Sequence, residues 1–211
     1  MRYMSVFTED SEVLKAFDDI FLKNKWYDLD CTYSKGVFYK GIKEPKIKSD
    51  IIPLFLDVLE EDSTKLSGFK NNSIESIIFD PPFLFRNRKS ENKDLISARF
   101  SYFNSFEELL NMYEQSLIQF KRVLKDNGYV FFKCQDMTDG RFYCTHKHII
   151  DIAEKIGFVL RDIAIKVSNR KLQKDAKQQN CVAKVHTFWL VLKLKKQHEE
   201  IEQKIKEAQG E

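Results

Sequence analysis

Apolar positions recur at helical spacing in three stretches of the chain, and short continuous apolar runs separate them. After the helix-start signal Thr8-Glu9-Asp10-Ser11, residues Val13, Leu14, Phe17, Ile20 and Phe21 predict a helix through Asn24. Leu109, Leu110, Tyr113, Leu117, Phe120 and Leu124 predict a strongly amphipathic helix from about Phe106 to Leu124, closed by Asp126-Asn127-Gly128. A third helix, His146 to Ile156, stops at Gly157. The apolar runs Ser76–Phe79, Tyr129–Phe132, Phe158–Ile165 and Thr187–Leu192 read as strands, the continuous ones as strands buried on both faces. Trp26–Asp30 reads as a short strand entering the turn Cys31–Gly36. Residues 40–48 are polar and basic, and the apolar stretch Leu54–Leu59 gives way to Glu60, Glu61 and Asp62.

Strands alternating with helices predict an α/β protein with a largely parallel sheet and helices on both faces. Ligands of such sheets bind outside the carboxyl ends of the strands. Three of the predicted strands end there in polar groups: Asp30, Asp80, and Lys133-Cys134-Gln135-Asp136. That coincidence points to an enzyme. No repeat or low-complexity tract interrupts the pattern, so residues 1–195 read as one domain followed by a charged, solvated helical tail at 196–211.

Composition narrows the class. With 211 residues, 43% hydrophobic and 32% charged, the chain is long enough for one core and too apolar for a disordered protein. Mean hydropathy is −0.44, and no apolar run reaches membrane-spanning length. Acids at Glu9 and Asp10 fall where a secretory signal needs an apolar core, which leads us to expect a cytoplasmic protein. The net charge of +3 neither requires nor excludes a nucleic acid partner, but its distribution is uneven. Arg86, Arg88, Lys89, Lys93 and Arg99 form one basic stretch, and Lys166, Arg170, Lys171, Lys174 and Lys177 another. Cys31, Cys134, Cys144 and Cys181 lie too far apart in sequence for a zinc motif. His146 and His148 point to opposite sides of a helix start, so no metal site is expected.

The Asp80-Pro81-Pro82-Phe83 run after a buried strand carries the most specific chemistry. An exocyclic amine on adenine or cytosine is a poor nucleophile, because its lone pair is delocalised into the ring. Methylating it calls for acceptors that hold both amino hydrogens while the nitrogen becomes tetrahedral. Asp80 supplies one acceptor and the Pro81 carbonyl another. Neither Pro81 nor Pro82 has an N–H to compete there. Phe83 is placed to stack on an extruded base.

Asp30-Cys31-Thr32-Tyr33-Ser34-Lys35-Gly36-Val37-Phe38-Tyr39, then Asp80-Pro81-Pro82-Phe83, then Phe132-Lys133-Cys134-Gln135-Asp136, then His186-Thr187-Phe188-Trp189, together resemble the compact amino-methylating DNA methyltransferases of phages and bacterial mobile elements. The resemblance runs from about Val6 to Leu192 and implies a class I, Rossmann-like methyltransferase sheet, parallel except for one late strand, with S-adenosyl-L-methionine as cofactor. It places Asp30, Thr32 and Lys35 along the cofactor pocket, with Gly36 permitting close backbone approach. It also implies Asp50 on the ribose hydroxyls and Asp62 near the adenine. Lys133 and Gln135 fall beside the cleft, and Arg86, Arg88, Asn169 and Arg170 fall in loops suited to the substrate. The single glycine of the 30–36 loop and Cys31 depart from the commoner pattern. DNA is favoured over RNA, and adenine N6 over cytosine N4, because the motif opens with Asp rather than Ser. RNA, a protein glutamine or lysine nitrogen, and a non-catalytic binding subunit are the alternatives. The chain has no room for a large recognition domain, so short loops, a second copy or a partner subunit would supply any specificity.

Overall fold

The computed structural model describes residues 2–85, 103–168 and 181–195. Strand β1 (Val6–Phe7) leads into α1 (Asp10–Phe17), which continues as a π-helical turn over Asp18–Leu22. Then come β2 (Leu29–Asp30), a 3-10 turn (Val37–Tyr39), β3 (Ile47–Asp50), β4 (Leu59–Glu60) and β5 (Ile74–Phe79). Helix α2 (Phe106–Val123) runs straight into β6 (Leu124–Cys134). A hairpin, β7 (Met137–Asp139) and β8 (Arg141–Tyr143), precedes α3 (Thr145–Ile156), β9 (Phe158–Val167) and β10 (His186–Leu194).

Eight strands form one sheet in the order β1-β9-β10-β6-β5-β2-β3-β4. β10 is antiparallel to β6 and β9, and the remaining pairings in this sheet are parallel. The sheet is parallel except for one late strand, the arrangement that the resemblance implied. From β2 the chain steps outward to β3 and β4, then returns to the other side of β2 with β5. The topological switch point therefore lies between β2 and β5, where an open α/β sheet binds its ligand. The register sets Asp30 opposite Ile78, so Asp80 emerges just beyond Asp30 at the same sheet edge.

The continuous apolar runs reflect two buried faces. Ile77, Phe79, Val130, Phe132, Leu190 and Leu192 pack under α2 and α3, against Leu109, Tyr113, Leu117, Phe120, Ile149 and Ala153. Their alternates Ile78, Phe131, Trp189 and Val191 pack under α1, against Val13, Leu14 and Phe17. Period-two alternation between two apolar cores gives a strand with no polar side.

Some elements differ from the sequence prediction. The first helix ends its regular course at Phe17, because buried Asp18 accepts the Trp26 N–H at 2.8 Å. Lys23, Asn24 and Trp26 take positive φ to make that turn. Strand β1 and the β7–β8 hairpin are too short to leave a periodic signal. Leu54, Phe55 and Leu56 lie exposed in the β3–β4 connection rather than in a buried element. Asn127, at φ 62°, bends the chain within β6, where a helix-closing turn was expected. The predicted tail at 196–211 and most of both basic stretches lie outside the described residues. Among the described residues no helix is long and apolar enough to cross a membrane.

Gly36 has φ +63°, and a Cβ built on it would come 2.4 Å from the Tyr33 hydroxyl. Tyr33 is stacked on Tyr39 at 5.6 Å and donates to Glu44 at 2.6 Å, so it has little room to yield. Gly36→Ala is expected to destabilise the protein by about 1–2 kcal/mol or more, read as a lower urea midpoint with an unchanged slope.

Candidate active site

The loop leaving β2 is organised by Asp30. Its side chain is buried and accepts from the Thr32 N–H at 2.8 Å and from the Tyr39 hydroxyl at 2.6 Å. Burial pushes the Asp30 carboxyl up to about 7, against the hydrogen bonds from Tyr39 and Thr32. The Thr32 hydroxyl donates to Asp30 at 3.3 Å and accepts the Asp80 backbone N–H at 2.7 Å. One threonine thus ties the β2 loop to the turn after β5.

The carboxylate at the end of β3 is equally occupied. Asp50 accepts from the Ser34 N–H at 2.8 Å with one oxygen and from the Ile52 N–H at 2.9 Å with the other. After β4, Asp62 accepts from the N–H and hydroxyl of Thr64 at 2.9 and 2.7 Å. Arg122 of α2 fixes the segment beyond it, donating to the carbonyls of Leu66 and Phe69 at 2.8 Å. Four strand ends enclose a cavity of about 410 Å³ whose wall includes Thr32, Asp50, Asp62, Asp80, Pro81 and Phe83.

The turn after β5 presents the chemistry. Tyr113 of α2 donates to the Pro82 carbonyl at 2.6 Å, which sets the orientation of the second proline. The Pro81 carbonyl takes no hydrogen bond from the described residues. Asp80 Oδ1 is buried without a hydrogen-bond partner, and the Lys133 ammonium stands 3.9 Å from it. Burial pushes the Asp80 carboxyl up to about 6; Lys133 opposes this, Asp10 adds to it and Lys166 opposes it. The Asp80 carboxylate, one oxygen buried toward Lys133 and the side chain partly exposed, thus stands on the cavity wall next to Pro81 and the half-buried Phe83 ring.

A model of the DNA methylase family, the N6/N4 type, matches residues 74–211, well over half of the chain. The chain belongs to the N6/N4 DNA methylase family. No curated protein matches it. Among solved structures, it is similar to a SAM-dependent methyltransferase from Archaeoglobus fulgidus, at 14% identity and TM-score 0.49, over 87% of this chain and 94% of that one. A Thermus thermophilus protein named as a DNA modification methylase, complexed with S-adenosyl-L-methionine, aligns at 16% identity and TM-score 0.46, over 64% and 54% of the two chains. The PvuII cytosine-N4-specific DNA methyltransferase aligns at 17% and 0.46, over 63% and 47%. The chain spans about half the length of these last two proteins.

The residues expected along the cofactor pocket separate into two groups. Thr32, Asp50 and Asp62 reach the cavity wall. Asp30, Lys35 and Gly36 are not among the residues of that wall. Asp30 sits behind its own loop, Lys35 points to solvent, and Gly36 makes room for Tyr33. Lys133 and Gln135, expected to act together, also part company. Lys133 lies over the rings of Phe38 and Trp189, at 4.3 and 5.5 Å, beneath Asp80. Gln135 instead donates to the His186 carbonyl at 2.7 Å and lines a separate cavity of about 220 Å³. Arg86, Arg88, Asn169 and Arg170 lie outside the described residues.

His146 pairs with Asp136 at 2.8 Å and stands 3.8 Å from the Cys144 thiol, a grouping invisible in a sequence where Asp136 is ten positions away. The Asp136 carboxylate also accepts the His146 N–H at the start of α3, at 3.2 Å. The ligand atoms of Asp136, Cys144 and His146 lie within 4.8 Å of one another, although the sequence led us to expect no metal site. Sequence reasoning missed Asp10, Tyr113 and Arg122 as site-building residues. Each reads locally as no more than part of a helix pattern.

Thr32→Val removes the hydroxyl that accepts the Asp80 N–H while nearly conserving shape. It is expected to cost about 1–3 kcal/mol, with Thr32→Ser recovering most of the loss, as measured by urea denaturation.

Proposed function

We propose that this methylase transfers a methyl group from S-adenosyl-L-methionine to an exocyclic amino nitrogen of a nucleobase in DNA, with adenine N6 as the target. The observation that carries this reading is the partly exposed Asp80 carboxylate on the wall of the switch-point cavity, with Pro81 and Phe83 beside it. Adenine is favoured because the turn opens with a carboxylate rather than a hydroxyl.

The residues present fit the cofactor. A cavity of about 410 Å³ falls within the roughly 300–1,000 Å³ usual for small-molecule sites. Asp50 would hold the ribose hydroxyls, since each of its oxygens carries one backbone N–H and retains a free lone pair. Asp62, with Ile51 nearby on the wall, would meet the adenine end. When bound, S-adenosyl-L-methionine supplies an electrophilic methyl on a sulfonium centre.

The chain's own groups then act on the amine. Phe83 stacks on the extruded base. Asp80 and the Pro81 carbonyl each accept one amino hydrogen, which draws the nitrogen lone pair out of conjugation with the ring. A carboxyl raised to about 6 also serves as a receptor for the proton that the methylated amine sheds. Catalysis here is positioning and electrostatics.

Arg86, Arg88, Asn169 and Arg170 are proposed to border the DNA, and residues 1–195 to form the methyltransferase domain with 196–211 as a tail. Specificity would come from the loops after Phe83 and Ile165, or from a second copy or partner subunit. The thiols of Cys31, Cys134 and Cys144 suit a reducing cytoplasm.

The test is label transfer from S-adenosyl-L-methionine to DNA, RNA or protein, followed by nucleoside analysis. Label in N6-methyladenine of DNA, reduced at least a hundredfold in Asp80→Ala, is expected. Only ionised Asp80 accepts an amino hydrogen, so protonation removes activity. The rate should therefore fall about tenfold per pH unit below pH of about 6. Label in RNA or protein alone would sink the substrate, and full activity of Asp80→Ala would sink the mechanism.

A further inference from the structure

Asp10, the first residue of α1, is partly buried, its side chain 15% exposed. Its Oδ1 accepts from the Trp189 indole N–H at 2.9 Å and forms an ion pair with the Lys133 ammonium at 3.0 Å. Its Oδ2 stands 4.0 Å from the Lys166 ammonium. Lys133 is itself buried, its ammonium flanked by the Phe38 and Trp189 rings. From that seat it is 3.9 Å from Asp80 Oδ1, beyond hydrogen-bonding distance, and that oxygen is left buried with no partner. One ammonium stands between two carboxylates and is paired with the one that does not line the cavity.

A buried carboxylate oxygen next to an ammonium ordinarily captures it, because leaving that bond unmade is costly. Asp10 supplies the competing partner. We propose that Asp10 is a positioning residue: it holds the Lys133 ammonium 3.9 Å from the buried Oδ1 of Asp80, so that the carboxylate keeps its acceptor strength for a substrate amine at its exposed side. This rests on the reading of Asp80 as the group that meets that amine.

The groups facing Asp80 make the direction of the effect definite. They are Asp10 from α1, Asp30 from β2, Lys133 from β6 and Lys166 from β9. The neighbouring hydroxyls are already committed, with Tyr113 on the Pro82 carbonyl and Thr32 on the Asp80 N–H. Two carboxylates at Asp10 and Asp80 balance two ammoniums. Removing the Asp10 charge leaves both ammoniums facing Asp80. Lys133 then closes on Asp80, whose proton affinity drops and which becomes a weaker acceptor. Asn at position 10 keeps an oxygen for the Trp189 indole, so the charge is lost while the structural hydrogen bond remains.

The experiment compares wild type, Asp10→Asn and Asp10→Glu. The Asp80 carboxyl is followed by carbon-13 NMR titration, with its resonance assigned by its loss in Asp80→Asn. Methyl transfer to DNA is followed against pH in parallel. Asp10→Asn is expected to lower the Asp80 midpoint by about one unit or more, a tenfold change in proton affinity. The acid limb of kcat should move with it, and kcat at pH 8 should fall several-fold at unchanged KM for S-adenosyl-L-methionine. Asp10→Glu, which keeps the charge, should restore the midpoint and the limb. Lys133→Met, which removes the shared ammonium, should move the midpoint up, and it serves as the second variant if Asp10→Asn does not fold. A midpoint unmoved in Asp10→Asn or in Lys133→Met overturns the proposal. The titration reads Asp80 without turnover, so absence of transfer by the wild type would count against the substrate reading alone.

Discussion

The hydrogen bond from the Asp80 backbone N–H to the Thr32 hydroxyl, 2.7 Å long, joins the two sides of the switch point. Thr32 is held in turn by Asp30, so the loop after β2 and the turn after β5 form one unit across the centre of the sheet. If this bond were absent, the cavity wall that carries Asp80 and the wall that leads to Asp50 could separate. The rest of the site depends on that span being fixed. Ser34, two residues past Thr32, bonds Asp50, and the Glu61 N–H bonds the Asp50 carbonyl at 3.1 Å. A chain of short contacts thereby links four strand ends around one cavity.

Charge is distributed over this frame in two layers. Asp30 lies buried under the loop, its carboxyl pushed up to about 7 by burial, and orders the loop through Thr32 and Tyr39. Asp80 lies on the cavity wall with an oxygen left unpaired. The cations that balance it come from the α1 face of the sheet, where Lys133 and Lys166 meet Asp10. The site therefore uses both sides of the sheet: the cavity edge for binding and the α1 core for electrostatics.

Much of this is legible in the residues themselves. The strands Ile74–Phe79 and Tyr129–Phe132, helix α2 and the Gly157 stop all carry strong local signals, since continuous apolar runs and helical periodicity survive tertiary packing. The Asp80–Phe83 turn is legible because two prolines directly after a buried strand end its hydrogen-bond ladder and fix a rigid turn at the sheet edge. What escapes the sequence is long-range. Asp10 and Trp189 are 179 residues apart, and nothing local marks Asp10 as more than a helix-start acid. Lys35 and Gly36 read as pocket residues by motif position, yet the positive φ of Gly36 serves Tyr33 packing. Gln135 shares a face with Lys133 by alternation, but the start of β10 captures its amide.

We propose that the four strand ends form a single cofactor cleft. Hydrogen–deuterium exchange with and without S-adenosyl-L-methionine tests it most directly. A single cleft predicts joint protection of residues 30–36, 50–52 and 61–66 together with the amides of Asp80 and Phe83, with the β7–β8 hairpin unchanged. Protection confined to residues 135–138 and 181–184 at the second cavity, or no protection at saturating cofactor, would contradict it.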